Sequence, residues 1–414
     1  MIPTSNPLQR KWTSFLEAWE TPLFAACMAI TVYSLFALLE GPLWRETKGN
    51  YFSYLADAFL HGQLYLRSIP PSVHDLVYFH GNYYLYWPAF PAVFLIPLVL
   101  IFGIHISDVL VVLILSGASV GVVAQVLRAA NQAGVAPLDR SRRGLLVLFF
   151  ALGTVILPLA PFGTVWSLSQ LLVFLLIGLA YMSALSLMGW KAFFFTGLFL
   201  ALATLTRSHT IFIGIWPAYY LLKKHWPDGL GKILAYSVTG GIPVIFAIGL
   251  TLLYNYGRFG DVTQVGYDYH NMADIFVENY KLYGPFNLFY LPTNLYYQYI
   301  YYPFPWRKDS FMGGSLFLLS PILFSIFPVF FKKFKQPSVL FLSMSIFLVN
   351  IPILLLMGTG WVQFGPRYTL DFTLPLLLLV AMGIKDWRLS ILQLLVAISC
   401  FQYFLGTYIK SRLT

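Results

Sequence analysis

Stretches of roughly twenty apolar residues recur along the whole 414-residue chain, and its charges fall almost entirely in the short segments between them. At ~1.5 Å per residue, a helix of that length matches the ~30 Å hydrocarbon core of a bilayer. Lipid offers backbone amides no partners, so such a chain folds into helices that satisfy themselves rather than into open sheets. Charged residues make up 10% of the sequence, against about a quarter in soluble domains. The sequence therefore specifies an all-α polytopic membrane protein. The first run, Thr21–Leu39, is too long for a signal-peptide core and lacks a small-residue cleavage site, so it reads as a retained span. Cys27 and Cys400 form neither a CxxC pair nor a disulfide framework. No repeat of 20–50 residues is present.

Charge placement sets the expected topology. With a cytoplasmic amino terminus, the inner segments carry 15 of the 26 basic residues, from Arg10 and Lys11 to Lys385 and Arg388, against five acids. The outer segments then hold 11 basic and 11 acidic residues, so the whole formal excess of +10 lies inside. That excess reports membrane orientation, not nucleic-acid binding. The arrangement requires Pro88–Gly103, short and carrying three prolines, to be juxtamembrane or re-entrant. Eleven spans follow, near 21–39, 107–127, 144–160, 164–187, 192–206, 209–222, 232–254, 312–331, 338–357, 370–384 and 389–409, with the carboxyl terminus outside.

The outer segments hold the residues suited to chemistry. In the long first loop, Asn50, Ser53, Asp57 and His61 recur at helical spacing, as one polar stripe of a short helix lying on the membrane would. Asp57 beside an apolar surface would suit a base that takes a proton from a hydroxyl, or it pairs with Arg45 or Arg67. Glu46 and Asp75 are the other loop carboxylates. His61, His74 and His80 lack the spacing of a preformed metal site, and solvated or interfacial positions account for them. Arg207 sits between two apolar runs at the outer end of a helical hairpin, where a lipid phosphate would balance its charge, as bulk headgroups would. Arg258 and Tyr267 open the second outer segment, whose eight tyrosines between Tyr280 and Tyr302 read chiefly as an interfacial belt. Arg367, Tyr368 and Asp371 lie in a third loop, where Arg367 and Asp371, four apart, form a structural pair or serve a ligand.

Five segments together resemble the GT-C superfamily of integral-membrane glycosyltransferases, in the branch of protein O-mannosyltransferase-like and aminoarabinose-transferase-like enzymes. They are YFSYLADAFLHG (51–62), YLYWPAFPAVFLIPLVLIFG (84–103), LATLTRS (202–208), LYNYGRFGDVTQVGY (253–267) and FGPRYTLDFTLP (364–375). The resemblance implies a GT-C-like fold around the about 11 transmembrane helices that charge placement gives, juxtamembrane helices in the first outer loop, and a multi-pass protein acting on the outer face. It implies inverting transfer of a sugar from a polyprenyl-phosphate-linked donor within the membrane lipid to an acceptor it does not name. A first-loop acid would deprotonate the acceptor, with Glu46, Asp57 and Asp75 as the candidates. Arg207, Arg258, Arg367, Tyr267 and Tyr368 would hold the donor and its phosphate. No cofactor is specified; a divalent cation, Mg²⁺ or Mn²⁺, held by loop carboxylates stays open, and no requirement for one is written in the sequence. The chain departs from the family at Thr47, where an acid is usual four residues before the tyrosine matched by Tyr51. The organisation is then a catalytic membrane module over 1–254 containing the first outer loop 40–106, an outer loop over 255–311, and carboxyl-terminal helices over 312–414. The alternatives are a lipid-phosphate or solute transporter, and an inactive lipid-binding scaffold. A transporter would place ionisable groups near the midplane and show inverted repeats.

Overall fold

The structure, a computed structural model, describes residues 7–358 and 360–413. The side chain of Arg10, the third-loop residue Thr359, and Met1 and Thr414, on which the placement of the termini rests, lie outside the described residues. Helix α1 (Pro7–Trp19) precedes α2 (Pro22–Glu40). The first loop contains α3 (Tyr51–Leu60), the hairpin β1–β2 (Val77–Phe79, Asn82–Tyr84) and α4 (Phe90–Phe102). Then come α5 (Asp108–Gln132), α6 (Arg140–Leu159, opened at 153–155), α7 (Val165–Ser186), α8 (Gly189–Thr204), α9 (Ile215–His225) and α10 (Leu230–Phe259). The second loop holds α11 (Asp274–Tyr283), and α12 (Ile326–Lys333), α13 (Pro337–Leu355), α14 (Thr373–Gly383) and α15 (Leu389–Leu413) follow. A parallel two-residue pairing joins β3 (Met312–Gly313) to β4 (Gln363–Phe364). The β1–β2 turn is His80-Gly81, both at positive φ, as a two-residue hairpin turn requires.

Seven helices among the described residues are long and apolar enough to cross a membrane: α2, α5, α6, α7, α10, α13 and α15. The other four expected spans are short or broken. Helix α8 has 16 residues, and 209–222 is a 3-10 helix (Ser208–Gly214) followed by the 11-residue α9. Residues 312–331 divide among several short pieces around Pro321, and 370–384 begins in a 3-10 helix (Arg367–Phe372) before α14. Every residue of α14 from Thr373 to Ala381 is buried in protein. Irregular backbone is tolerated at membrane depth where protein, not lipid, surrounds it.

Helix α4, at 13 residues about 20 Å long, is too short for a straight crossing. The first loop leaves α2 and enters α5 at one end of the bundle. Ser107 Oγ donates to Leu43 O at 2.8 Å, Thr47 N to Asp108 Oδ1 at 3.0 Å, and Asn50 Nδ2 to Ile106 O at 3.1 Å. Helices α2 and α5 run antiparallel and close: a Cβ on Gly117 would stand 2.4 Å from Ile30 Cγ1, and one on Gly121 3.3 Å from Pro22 O.

At the far end of α5, about 30 Å from Asp108 by helical rise, the basic turns converge. Glu20, buried, accepts from Arg143 (2.6 Å), Arg140 (2.9 Å) and Arg128 (3.3 Å), and Arg142 Nη2 donates to Trp387 O at 2.7 Å. The first loop and the basic turns thus occupy opposite ends of the bundle.

Helix α3 differs from the surface helix expected of its polar stripe. Asn50 and Ser53 are buried, along with Tyr51, Phe52, Tyr54, Leu55, Ala56 and Ala58. Only its final turn, with Asp57 and His61, reaches the surface. The aromatic and small residues between the polar ones pack into the bundle on nearly every face, and this outweighs the stripe.

Candidate functional site

Two cavities open at the end of the bundle that carries the first loop. One, about 820 Å³, is a largely apolar groove between α4, α8, α10 and α13, walled by Phe90, Val93, Leu202, Phe246, Leu250 and Ile353. Two of its helices pack closely against each other: a Cβ on Gly197 of α8 would lie 1.9 Å from Gly240 O of α10. The other, about 410 Å³, is a more polar chamber bordered by His74, Asp75, His270, Arg367 and Lys410. Tyr86, Trp166, Tyr267, Leu356 and Tyr368 line both cavities and form the wall between them.

Asp75 alone among the three loop carboxylates faces a cavity. Its backbone takes a left-handed conformation, φ 63°, uncommon for a residue with a side chain. Reciprocal bonds to the second loop hold it there: Asp75 N to Asn271 O and Asn271 N to Leu76 O, both 2.8 Å. Trp166 Nε1 donates to Asp75 Oδ2 at 3.0 Å, and His270 Nε2 and His74 Nε2 lie 3.1 and 3.6 Å from Oδ1. Burial alone would raise the Asp75 pKa. The bond and charge of His270, the charge of His74 and the Trp166 bond outweigh it and hold the carboxyl below the usual carboxylate range. Burial first, and then the adjacent Tyr368 and Asp75 against the opposing charge of Arg207, push Tyr267 up to about 12. Tyr86, enclosed between Asp75 and the tyrosines, is pushed well above its ordinary value, chiefly by burial.

Asp57 and Glu46 lie elsewhere. Asp57 pairs with Arg67 at 3.1 Å and approaches His61 at 3.5 Å, lining neither cavity. Arg45, the other partner open to Asp57 from sequence, instead donates to Ala37 O and Gly41 O and caps α2. Glu46 accepts from His105 Nδ1 at 2.7 Å. At Thr47, where the resemblance would place an acid, hydroxyl and amide both meet the buried carboxylate of Asp108.

The arginines divide between the cavities. Arg207 borders the groove and is already paired, its Nη2 and Nε lying 2.9 and 3.0 Å from Oδ2 of the fully buried Asp371, which also receives His209 Nε2 at 2.9 Å. The pairing of Arg367 with Asp371 allowed by their four-residue spacing does not form. Their segment is a 3-10 helix, whose three-residue turn puts positions four apart on different faces. Arg258, buried at the end of α10, stacks on Tyr254 at 3.9 Å and donates to Asn255 Oδ1 at 2.7 Å and to Leu85 O. It borders the groove and has no carboxylate partner among the described residues. Arg367 borders only the chamber. The Tyr368 ring lies between Arg207 and Arg367, 5.5 and 5.1 Å from their guanidinium carbons.

Among the described residues, no three or more His, Cys, Asp or Glu side chains gather to hold a metal ion. Of the expected belt, Tyr290, Tyr299 and Tyr302 instead make interior or inter-helical bonds, to Gly284 O, Asn350 and Gln402. Trp166 and His209 carried no signal in the sequence. Trp166 and His209 meet their carboxylates, Asp75 and Asp371, only across 91 and 162 residues of chain.

No family model and no curated protein matches the chain. Among solved structures, ArnT from Cupriavidus metallidurans bound to undecaprenyl phosphate aligns with 92% of this chain and 62% of its own, at 13% identity and a TM-score of 0.47. The chain thus spans less than two thirds of that protein's length. At this distance the chemistry of the site rests on its own geometry.

Proposed function

We propose that the chain is a GT-C-type glycosyltransferase that transfers a sugar, with inversion, from a polyprenyl-phosphate donor to an acceptor hydroxyl on the extracytoplasmic face of the membrane. The observation that carries this reading is the common wall of Tyr86, Trp166, Tyr267 and Tyr368 between the two cavities. It divides an apolar groove edged by arginines from a more polar chamber containing a half-buried carboxylate held below its usual range.

In this reading the prenyl tail lies in the groove, its phosphate meets Arg258 and Arg207, and the sugar sits against the tyrosines and Trp166. The acceptor occupies the chamber with its hydroxyl at Asp75. Asp75 takes the hydroxyl proton as the acceptor oxygen bonds to the anomeric carbon. The bond from that carbon to the phosphate oxygen breaks on the opposite face, and the electron pair leaves with the polyprenyl phosphate. Arg258, uncompensated by any described carboxylate, stabilises the charge that grows on the leaving phosphate. Arg207 contributes while sharing Asp371 with His209. Trp166 and His270 fix the rotamer of the carboxylate and hold it ionised. Glu46 and Asp57, engaged with His105 and Arg67, are free of this role.

The test is sugar transfer from radiolabelled polyprenyl-phosphate sugars in proteoliposomes. Asp75→Asn is expected to lower turnover ~10²–10⁴-fold, the usual worth of a general base. Glu46→Gln and Asp57→Asn are expected to stay near wild type. Full activity in Asp75→Asn, or its loss in Asp57→Asn, would overturn the assignment.

A further inference from the structure

The chamber holds a second feature that the transfer reaction does not require. Arg367 borders it, yet no carboxylate among the described residues lies within ion-pair reach of its guanidinium. Its Nε is buried without a hydrogen-bond partner, and Nη2 has only the Tyr368 hydroxyl at 3.4 Å. Lys410, its ammonium 3.9 Å from the Phe162 ring centre, borders the same chamber. Among the described residues Asp75 is the only acid in the lining. That acid is occupied by Trp166 and His270. Arg207, across the Tyr368 ring, is balanced by Asp371, whereas Arg367 has no such counterpart.

From this we infer that the acceptor is anionic: a hydroxyl compound that also carries an oxyanion, phosphate or carboxylate, seated on Arg367 while its hydroxyl meets Asp75. A guanidinium in a partly dry chamber is costly without a counter-charge, and its fork matches the paired oxygens of either group. A neutral acceptor would leave that cost in place. The donor phosphate does not supply the counter-charge, because Tyr368 stands between Arg367 and the groove. The inference rests on the chamber being the acceptor site of the proposed transferase.

The experiment reads binding without turnover. Wild-type protein in phosphatidylcholine nanodiscs is treated with phenylglyoxal, and modification of Arg367, Arg207 and Arg258 is followed by peptide mass spectrometry. The probes are glycerol 3-phosphate, glycerate, glycerol and undecaprenyl phosphate, with phosphatidylglycerol nanodiscs as the lipid-headgroup arm. The expected result is ~10-fold slower modification of Arg367 with glycerol 3-phosphate or glycerate and no change with glycerol, in line with a charge-assisted contact. Protection in phosphatidylglycerol nanodiscs alone would also support an anionic acceptor and place its oxyanion on a lipid headgroup. Equal protection by glycerol, no protection by any anionic probe, or protection of Arg367 by undecaprenyl phosphate alone would overturn it. Undecaprenyl phosphate that fails to protect Arg207 and Arg258 counts instead against the transferase reading, so the two failures are distinguishable.

Discussion

Arg207 is placed both to hold a phosphate and to neutralise Asp371, and a double-mutant cycle separates these roles. Arg207→Met leaves a fully buried carboxylate with only His209 beside it and Oδ1 without any partner. Removing one member of a buried pair costs about 3–5 kcal/mol. Because His209 remains 2.9 Å from Oδ2, the lower end is expected, about 3 kcal/mol. Asp371→Asn removes the charge and keeps the shape, and the double variant Arg207→Met/Asp371→Asn should recover most of the lost stability. Thermal unfolding in detergent reads that half of the cycle. Undecaprenyl phosphate binding reads the other. If Arg207 contacts the phosphate, affinity falls in both Arg207→Met and the double variant and is retained or improved in Asp371→Asn, whose arginine is freed. A double variant that regains stability and binds the lipid phosphate as wild type does would confine Arg207 to a structural role and refute its place in the mechanism.

The remaining predictions concern pH, packing and topology. The Asp75 carboxyl titrates below its ordinary range, so the stability it contributes is present above the unfolded carboxylate value near ~3.9 and is lost only as pH falls through the lower folded value. Wild-type kcat/KM should therefore show no acid limb from Asp75 above about pH 5, while His270→Gln removes a partner that lowers it and moves that limb upward. A limb that stays in place would mean His270 does not set the ionisation of Asp75. Gly197→Ala drives a methyl toward Gly240 O, 1.9 Å away, and should cost about 1–3 kcal/mol with a lowered melting temperature. With Cys27 and Cys400 replaced by serine, cysteines at the exposed Tyr78 and Ala133 should label from opposite sides of the membrane, because only α5 crosses between them. Labelling of both from one side would mean that α4 crosses too.

The amino-acid sequence determined that this is a helical membrane protein, where most of its long helices lie, and that its basic turns share one end. Each of these follows from local content: apolar length against bilayer thickness, and the sign of charge between runs. It also placed Arg207, Arg258, Tyr267 and Tyr368 among residues of interest, because charge and aromaticity near span ends are visible one residue at a time. The choice among Glu46, Asp57 and Asp75 was not legible. All three are carboxylates in one loop, and they differ only in what the fold brings to them: His105 from the end of the same loop, Arg67 beyond α3, and Trp166 with His270 from two distant segments. The same holds for Asp371, whose partner Arg207 stands 164 residues away while the nearby Arg367 is turned aside by a 3-10 helix. The short lengths of 192–206, 209–222 and 370–384 were legible, but the 3-10 breaks within the irregular spans were equally hidden. Their composition is that of any lipid-facing helix, and only enclosure by neighbours lets their backbone depart from one. The tertiary structure alone decided which charges are satisfied by protein and which, Arg258 and Arg367, are left without a carboxylate beside a cavity, because the desolvation that makes such a charge costly is a property of the assembled bundle and of no single segment.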